Sequence, residues 1–144
     1  MTYLVDTCIV SKLPKMKARN DIKLLNWIAK HNETDYFLSV VTVGEIQAGI
    51  SQLTRPSDQR KKMLLEEWLI AELLPRFRER ILGVDEIVAR NWGQIVGVAR
   101  SKGICIPSND ALIAATALTH NLVVVTENGK DFTNSGVSIF NPYL

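Results

Sequence analysis

Four consecutive apolar residues, Leu122 to Val125, constrain the fold of this chain more than any other feature. Three of them are valines, and no polar residue alternates with them. A strand with one face in water alternates apolar and polar residues, whereas a strand of a parallel sheet is covered on both faces and stays apolar. The run therefore predicts a strand in a mostly parallel central sheet, flanked by helices in a three-layer α/β structure.

Strand and helix patterns alternate along the rest of the chain. Short apolar runs rich in β-formers predict further strands at Tyr3–Val5, Tyr36–Val41 and Ile81–Leu82. Apolar residues at helical spacing predict helices around Ile46–Leu53, Leu65–Leu73 and Val88–Ala99, followed by an alanine-rich helix, Asp110–His120. We expect Pro75 to end one helix, and Asp85 and Ser108 to cap the next two.

The length of 144 residues is that of one domain, so we expect a single domain over residues 1–144. With 47% hydrophobic residues the chain can bury a core without disulfides, and Cys8 and Cys105 are expected to be buried, reduced thiols. Neither a signal peptide nor an apolar stretch long enough for a membrane span is recognisable. We expect a soluble, cytoplasmic protein without membrane association.

Several common catalytic motifs are missing. There is no GxxxxGK[ST], GxGxxG, GxSxG or HExxH, which removes the sequence basis for nucleotide-loop, dinucleotide, α/β-hydrolase and zincin chemistry. The two histidines, His31 and His120, lie in polar surroundings near predicted helix ends, which is typical of surface residues. Histidine catalysis and a zinc site are therefore disfavoured.

Acidic residues occur where predicted strands meet helices. Asp6 follows the first strand, Glu45 follows the second, and Asp110 opens the alanine-rich helix. Each acid has a structural explanation: Asp6 can cap a helix over residues 7–13, Glu45 can form a capping box with Thr42, and Asp110 can interact with a helix dipole. Capping does not explain why all three fall at the same end of the sheet, where open parallel sheets bind ligands.

Carboxylates brought together in this way need a cation. Two of them ~5 Å apart at an effective dielectric of ~20 repel by ~3 kcal/mol, which a divalent ion or a proton would relieve. All-oxygen ligands without histidine or cysteine favour Mg²⁺ or Mn²⁺.

Four sequence blocks resemble the signature blocks of PIN-domain ribonucleases of the VapC toxin type. They are Leu4–Thr7, Leu38–Gly49, Asn109–Ala117 and Val125–Phe132. The tail Ile139–Tyr143 is similar to the end of the FitB-like branch. The resemblance implies a PIN-like α/β fold and a Mg²⁺- or Mn²⁺-dependent endoribonuclease. It also implies a type II toxin with a cognate DNA-binding antitoxin of the VapB type, and a homodimer.

The same resemblance implies the site residues. Asp6, Glu45 and Asp110 match the three core acids of the family, and Asp131 is the preferred fourth, with Asn128 and Glu127 as alternatives. The chain departs from the family pattern twice: Cys8 replaces the usual asparagine, and Glu127 replaces the usual arginine. Glu127 is expected to add negative charge beside the site.

A basic segment follows the Asp6 strand. Its cationic residues are Lys12, Lys15, Lys17, Arg19 and Lys23. The first four are candidates for contact with RNA phosphates, although a solvated helix face or an antitoxin contact would explain them equally. Two other functions stay open at this point: a PIN-like binding module without catalysis, and a structure-specific DNA nuclease.

Overall fold

The computed structural model describes residues 1–144 and contains a five-stranded sheet in which all neighbouring strands are parallel. The strands are β1 (Tyr3–Val5), β2 (Tyr36–Ser39), β3 (Ile81–Leu82), β4 (Val123–Val125) and β5 (Ile139–Phe140), in the order β3-β2-β1-β4-β5. The α/β class and the parallel central sheet are confirmed.

Helices connect the strands. They are α1 (Thr7–Val10), α2 (Ile22–Ala29), α3 (Val40–Ser51), α4 (Gln59–Glu67), α5 (Leu74–Phe77), α6 (Glu86–Ser101) and α7 (Ser108–His120). A π-helical segment, Trp68–Leu73, joins α4 to α5. None of the helices combines the length and the apolarity that crossing a membrane requires.

Two hydrophobic cores lie on opposite faces of the sheet. Val5 and Val125 point into one core, with α1, α2 and the π-helical segment, while Leu4 and Val124 point into the other, with α6 and α7. Successive side chains of a strand point to opposite faces, so a strand covered on both sides must be apolar throughout. This arrangement confirms the interpretation of the valine run.

The strand order reverses between β1 and β4. The chain builds β1, β2 and β3 outward in one direction, and then returns to place β4 on the other side of β1. In open α/β sheets, the crevice outside the carboxyl ends of the strands at such a point is the usual ligand site. Asp6 follows β1 there, and Thr126 follows β4.

Several predicted boundaries were wrong. Residues 40 and 41, predicted as strand, open α3, because the Ser39 hydroxyl accepts from the Val41 amide and starts the helix. Pro75 does not end a helix but lies in the first turn of α5, where a missing amide is tolerated. The helix after Asp6 ends at Val10 rather than at residue 13. Strand β5 was missed.

Side-chain environments also differ from expectation. Asp85 caps α6 as predicted, with its Oδ1 accepting from the Val88 amide at 2.9 Å, but Ser108 is the first residue of α7 and makes no cap. Cys8 is half-buried and Cys105 is exposed, so the expectation of two buried thiols was wrong. His31 is only partly exposed, because it packs edge-on against Tyr3 in an aromatic cluster.

Candidate active site

Asp6 lies at the carboxyl end of β1 and is the N-cap of α1. The Thr7 amide donates to its Oδ1 at 2.8 Å, as the capping explanation requires. Its Oδ2 accepts from the Thr126 hydroxyl at 2.8 Å and from the Cys8 thiol at 3.3 Å. Burial raises the pKa of Asp6, and the nearby charge of Glu45 raises it further against the lowering effect of these hydrogen bonds.

Glu45 is not a capping residue, because α3 begins at Val40 with Ser39 as its N-cap, three residues before the helix that Thr42 would cap. The Thr7 hydroxyl donates to Glu45 Oε1 at 2.6 Å and lies 3.0 Å from the Thr42 hydroxyl. Asn109 donates to Glu45 Oε2 at 3.4 Å. These contacts turn the carboxylate away from its own helix end and toward β1.

Asp110 lies in the first turn of α7, which follows α6 rather than a strand, so the predicted strand-to-helix junction was wrong at this position. Burial raises the pKa of Asp110 to about 6, and the charges of Asp131, Asp6 and Glu45 raise it in that order of importance. The fold therefore brings the four predicted acids within electrostatic reach of one another. They come from four different segments of the chain.

The loop after β4 supplies the remaining contacts. Thr126 is fully buried, and its hydroxyl, besides donating to Asp6, accepts from the Asn128 amide at 3.0 Å. Phe132 is buried and anchors the short helix that carries the exposed Asp131. The candidates for the fourth site residue are Asp131, Asn128 and Glu127. Among them, Asp131 is the one whose charge acts on Asp110.

Two hydroxyl residues, Thr7 and Thr126, orient the acids and were not identified as site residues from sequence. Each follows a buried strand by one or two positions, at the carboxyl end where the acids lie. That position, combined with a side chain that can donate one hydrogen bond, was the available signal.

Cys8 donates to Asp6 in the place where the family pattern has asparagine. Burial and the adjacent charge of Asp6 raise the pKa of the Cys8 thiol to about 11. The group therefore stays protonated at neutral pH and acts as a weak hydrogen-bond donor, the role that an amide would also fill.

Lys12 and Glu127 form an ion pair at 2.7 Å beside this site. The expected surplus of negative charge at Glu127 is thus balanced by a cation from the basic segment. Lys15, Lys17 and Arg19 are exposed and make no ion pair, which leaves them available to an anionic partner.

The donor set suits a hard divalent cation. The carboxylates provide oxygen ligands, and the pKa of Asp110 is raised first by burial and then by a charge repulsion that a cation would relieve. Three or more acids are not drawn into one tight cluster suited to hold an ion by themselves. Water ligands would have to complete the shell, which is the normal situation for Mg²⁺.

The fold is a parallel sheet in the order β3-β2-β1-β4-β5, and acidic residues lie at the β1/β4 crevice. Comparison with known families assigns a class to this combination of fold and site. The model of the PIN domain matches residues 3–136. The chain belongs to the PIN-domain family.

Individual relatives are similar over almost the whole chain. Toxin FitB of Neisseria gonorrhoeae is 34% identical over 140 residues, with 97% of each chain covered. VapC ribonuclease Y4jK of Sinorhizobium fredii is 31% identical, with 97% of this chain and 96% of the relative covered. The crystal structure of FitAcB from Neisseria gonorrhoeae superposes with a TM-score of 0.85 at 33% identity, over 99% of each chain. FitAB bound to an IR36 DNA fragment gives a TM-score of 0.86 at 32% identity, over 99% of this chain and 96% of the other.

Proposed function

We propose that this protein is a Mg²⁺- or Mn²⁺-dependent endoribonuclease and the toxin of a type II toxin-antitoxin pair. The observation that carries the proposal is the position of Asp6 and Glu45 at the β1/β4 crevice, where Thr7 donates to both carboxylates and where their charges and that of Asp131 act on Asp110. Relatives named as a toxin and as a VapC ribonuclease support the same activity. A cytoplasmic location follows from an RNA substrate.

The residues of this chain hold the acids in a fixed arrangement. Thr126, Cys8 and the Thr7 amide fix the Asp6 carboxylate, and the Thr7 hydroxyl fixes Glu45. The charges of Asp131, Asp6 and Glu45 all act on Asp110, so the four acids contribute to one negative field. Asp6, Glu45, Asp110 and Asp131 would hold a divalent ion, which would supply an activated water and stabilise charge on the leaving 3′ oxygen, giving products with 5′-phosphate and 3′-hydroxyl ends.

Metal-dependent cleavage of RNA is the direct test. Total bacterial RNA and a DNA of mixed sequence are incubated with the protein in EDTA, and then with Mg²⁺ or Mn²⁺. We expect RNA cleavage only with metal, and its loss in Asp6→Asn and Asp110→Asn. The control is Glu79→Gln, since this exposed acid precedes β3 at the opposite end of the sheet.

The other outcomes distinguish the alternatives. Cleavage of branched or nicked DNA without cleavage of RNA would identify a structure-specific DNA nuclease. RNA or protein binding without cleavage under any metal would identify a binding module. Cleavage at the wild-type rate by Asp6→Asn would remove that residue from the proposed site.

The fourth site residue is tested by comparing three variants. Asp131→Ala is expected to weaken Mn²⁺ binding and cleavage, because Asp131 acts on Asp110 and carries a charge. Asn128→Ala removes only a neutral amide and is expected to change Mn²⁺ affinity little. A loss of metal affinity confined to Glu127→Ala would overturn the assignment of Asp131.

An antitoxin partner belongs to the same proposal, because the solved relatives FitAcB and FitAB are complexes by name. A cleft of about 420 Å³ lies next to α1 and α2; Leu13, Met16 and Trp68 are among its apolar lining, and Lys17 and Glu33 are also part of it. We assign it to a segment of the DNA-binding antitoxin. Co-expression with that antitoxin should suppress RNA cleavage, and Met16→Ala, which adds no charge beside Lys15 and Lys17, should weaken the suppression without changing cleavage by the toxin alone.

We also propose a homodimer. Met63, Leu64 and Ile70 are exposed on α4 and the π-helical segment, whereas the neighbouring Trp68 packs partly into the core. Sedimentation of the wild type and of Ile70→Glu tests this surface, with a dimer expected only for the wild type.

A further inference from the structure

We propose that Glu127 competes with RNA for Lys12. In the free protein Glu127 holds the ammonium group of Lys12, and a backbone phosphate has to displace Glu127 in order to bind it. The inference rests on the proposed ribonuclease function, since it assigns to Glu127 the role of lowering RNA affinity at that site.

The ion pair lies directly beside the acids. Lys12 follows α1, whose N-cap is Asp6, and Glu127 follows Thr126, whose hydroxyl donates to Asp6. The Lys12 Nζ and Glu127 Oε1 atoms are 2.7 Å apart, and the two side chains are 32% and 34% exposed. An RNA backbone that reaches Asp6 therefore passes a cation that is already paired but still open to solvent.

Tyr143 holds Lys12 in place independently of Glu127. The Lys12 ammonium lies 4.4 Å from the centroid of the Tyr143 ring, which attracts it through a cation–π interaction. Tyr143 is fixed in turn, because its hydroxyl donates to Asp21 at 2.7 Å and its carbonyl accepts from Lys23 at 3.0 Å. The ammonium would thus stay near the site when its carboxylate partner is exchanged for a phosphate.

The exchange is energetically feasible because the pair is weak. A solvent-exposed ion pair contributes at most about a fivefold factor to an equilibrium constant. A phosphate oxygen offers the same charge-assisted hydrogen bond, and binding to a nucleic acid strand also releases counterions. Glu127 therefore reduces the affinity for RNA without abolishing it.

Simple repulsion by Glu127 would also weaken RNA binding, but it would not depend on Lys12. A double-mutant cycle separates the two explanations. Glu127→Gln, Lys12→Gln and the double variant are compared with the wild type, and Glu79→Gln controls for the change in net charge. Binding of a fluorescein-labelled single-stranded 20-nucleotide RNA of mixed sequence is followed by anisotropy in EDTA, across a range of salt concentrations.

We expect Glu127→Gln to tighten the Kd for RNA by more than about twofold and by up to about fivefold, the largest factor that such a pair contributes. In the Lys12→Gln background the same substitution should change the Kd by less than about twofold, because no cation is left to release. Lys12→Gln alone should reduce the slope of log K against log salt by ~0.7, as the loss of one phosphate contact from single-stranded RNA does.

Equal tightening by Glu127→Gln in both backgrounds would show repulsion alone and would overturn the competition. Weaker binding by Glu127→Gln would overturn it as well. If the protein still binds and cleaves RNA, neither result contradicts the proposed ribonuclease function. A wild type that neither binds nor cleaves RNA would refute both. Because the Lys12 and Glu127 side chains are both partly exposed, their substitution should leave the fold unchanged. Thermal unfolding of each variant checks this.

Discussion

Neutralising Asp110 is expected to stabilise the metal-free protein at neutral pH. The pKa of Asp110 is raised from 3.8 to about 6 by burial and by the charges of Asp131, Asp6 and Glu45. A raised carboxyl pKa means that the folded state binds the proton more tightly than the unfolded state. The stability that protonated Asp110 contributes to the wild type is fully present below the unfolded pKa of 3.8 and is lost as the pH rises through the folded pKa of about 6.

The size of the effect follows from the shift. A change of about 2 pKa units corresponds to roughly 3 kcal/mol at 1.36 kcal/mol per unit. Asp110 is only half-buried, so screening by solvent reduces this to about 1–2 kcal/mol. In EDTA at pH 7, Asp110→Asn should therefore unfold with a free energy about 1–2 kcal/mol above that of the wild type, while the two proteins converge near pH 4.

Urea unfolding followed by tryptophan fluorescence measures this difference at several pH values between 4 and 7. Glu79→Gln serves as the control and should track the wild type. With Mg²⁺ at 100 times its dissociation constant, the free energy of unfolding of the wild type should rise by about 2.7 kcal/mol and that of Asp110→Asn by less. The difference in stability between the two proteins should therefore shrink or change sign. Parallel pH profiles for wild type and Asp110→Asn in EDTA would refute the raised pKa of Asp110 and with it the proposed effects of burial and of the neighbouring acids.

Three further outcomes are expected. Lys15→Gln and Lys17→Gln should each reduce the salt slope of single-stranded RNA binding by ~0.7 if the residue contacts a phosphate, and a slope unchanged in both would identify a solvated face. Asp85→Ala should cost about 1 kcal/mol in urea unfolding, because Asp85 caps the 16-residue α6. Trp92→Phe should cost less than about 2 kcal/mol in urea unfolding, because the smaller ring gives up packing but also removes a buried indole N–H without an acceptor; a larger loss would contradict an unpaired N–H.

Local sequence determined the central strands β1 and β4 and the first candidate site residue. The Leu122–Val125 run and Tyr3–Val5 are apolar because both faces of a parallel strand are covered, and this requirement is visible without knowing what covers them. Asp6 was also identifiable from the sequence, because it directly follows a strand whose end the apolar pattern locates. Boundaries were less accurate at Ser39 and Pro75, where a cap or a first helical turn depends on one or two contacts.

Only the tertiary structure decided the roles of the other charged residues. Glu45 fits a capping box locally, but its partners are Thr7 and Asn109, which are 38 and 64 residues away. The pKa of Asp110 depends on three acids from other segments, and Lys12 is paired with Glu127 across the sheet end. Hydrogen bonds and Coulomb interactions depend on distance in space, whereas a sequence pattern reports only on neighbours along the chain.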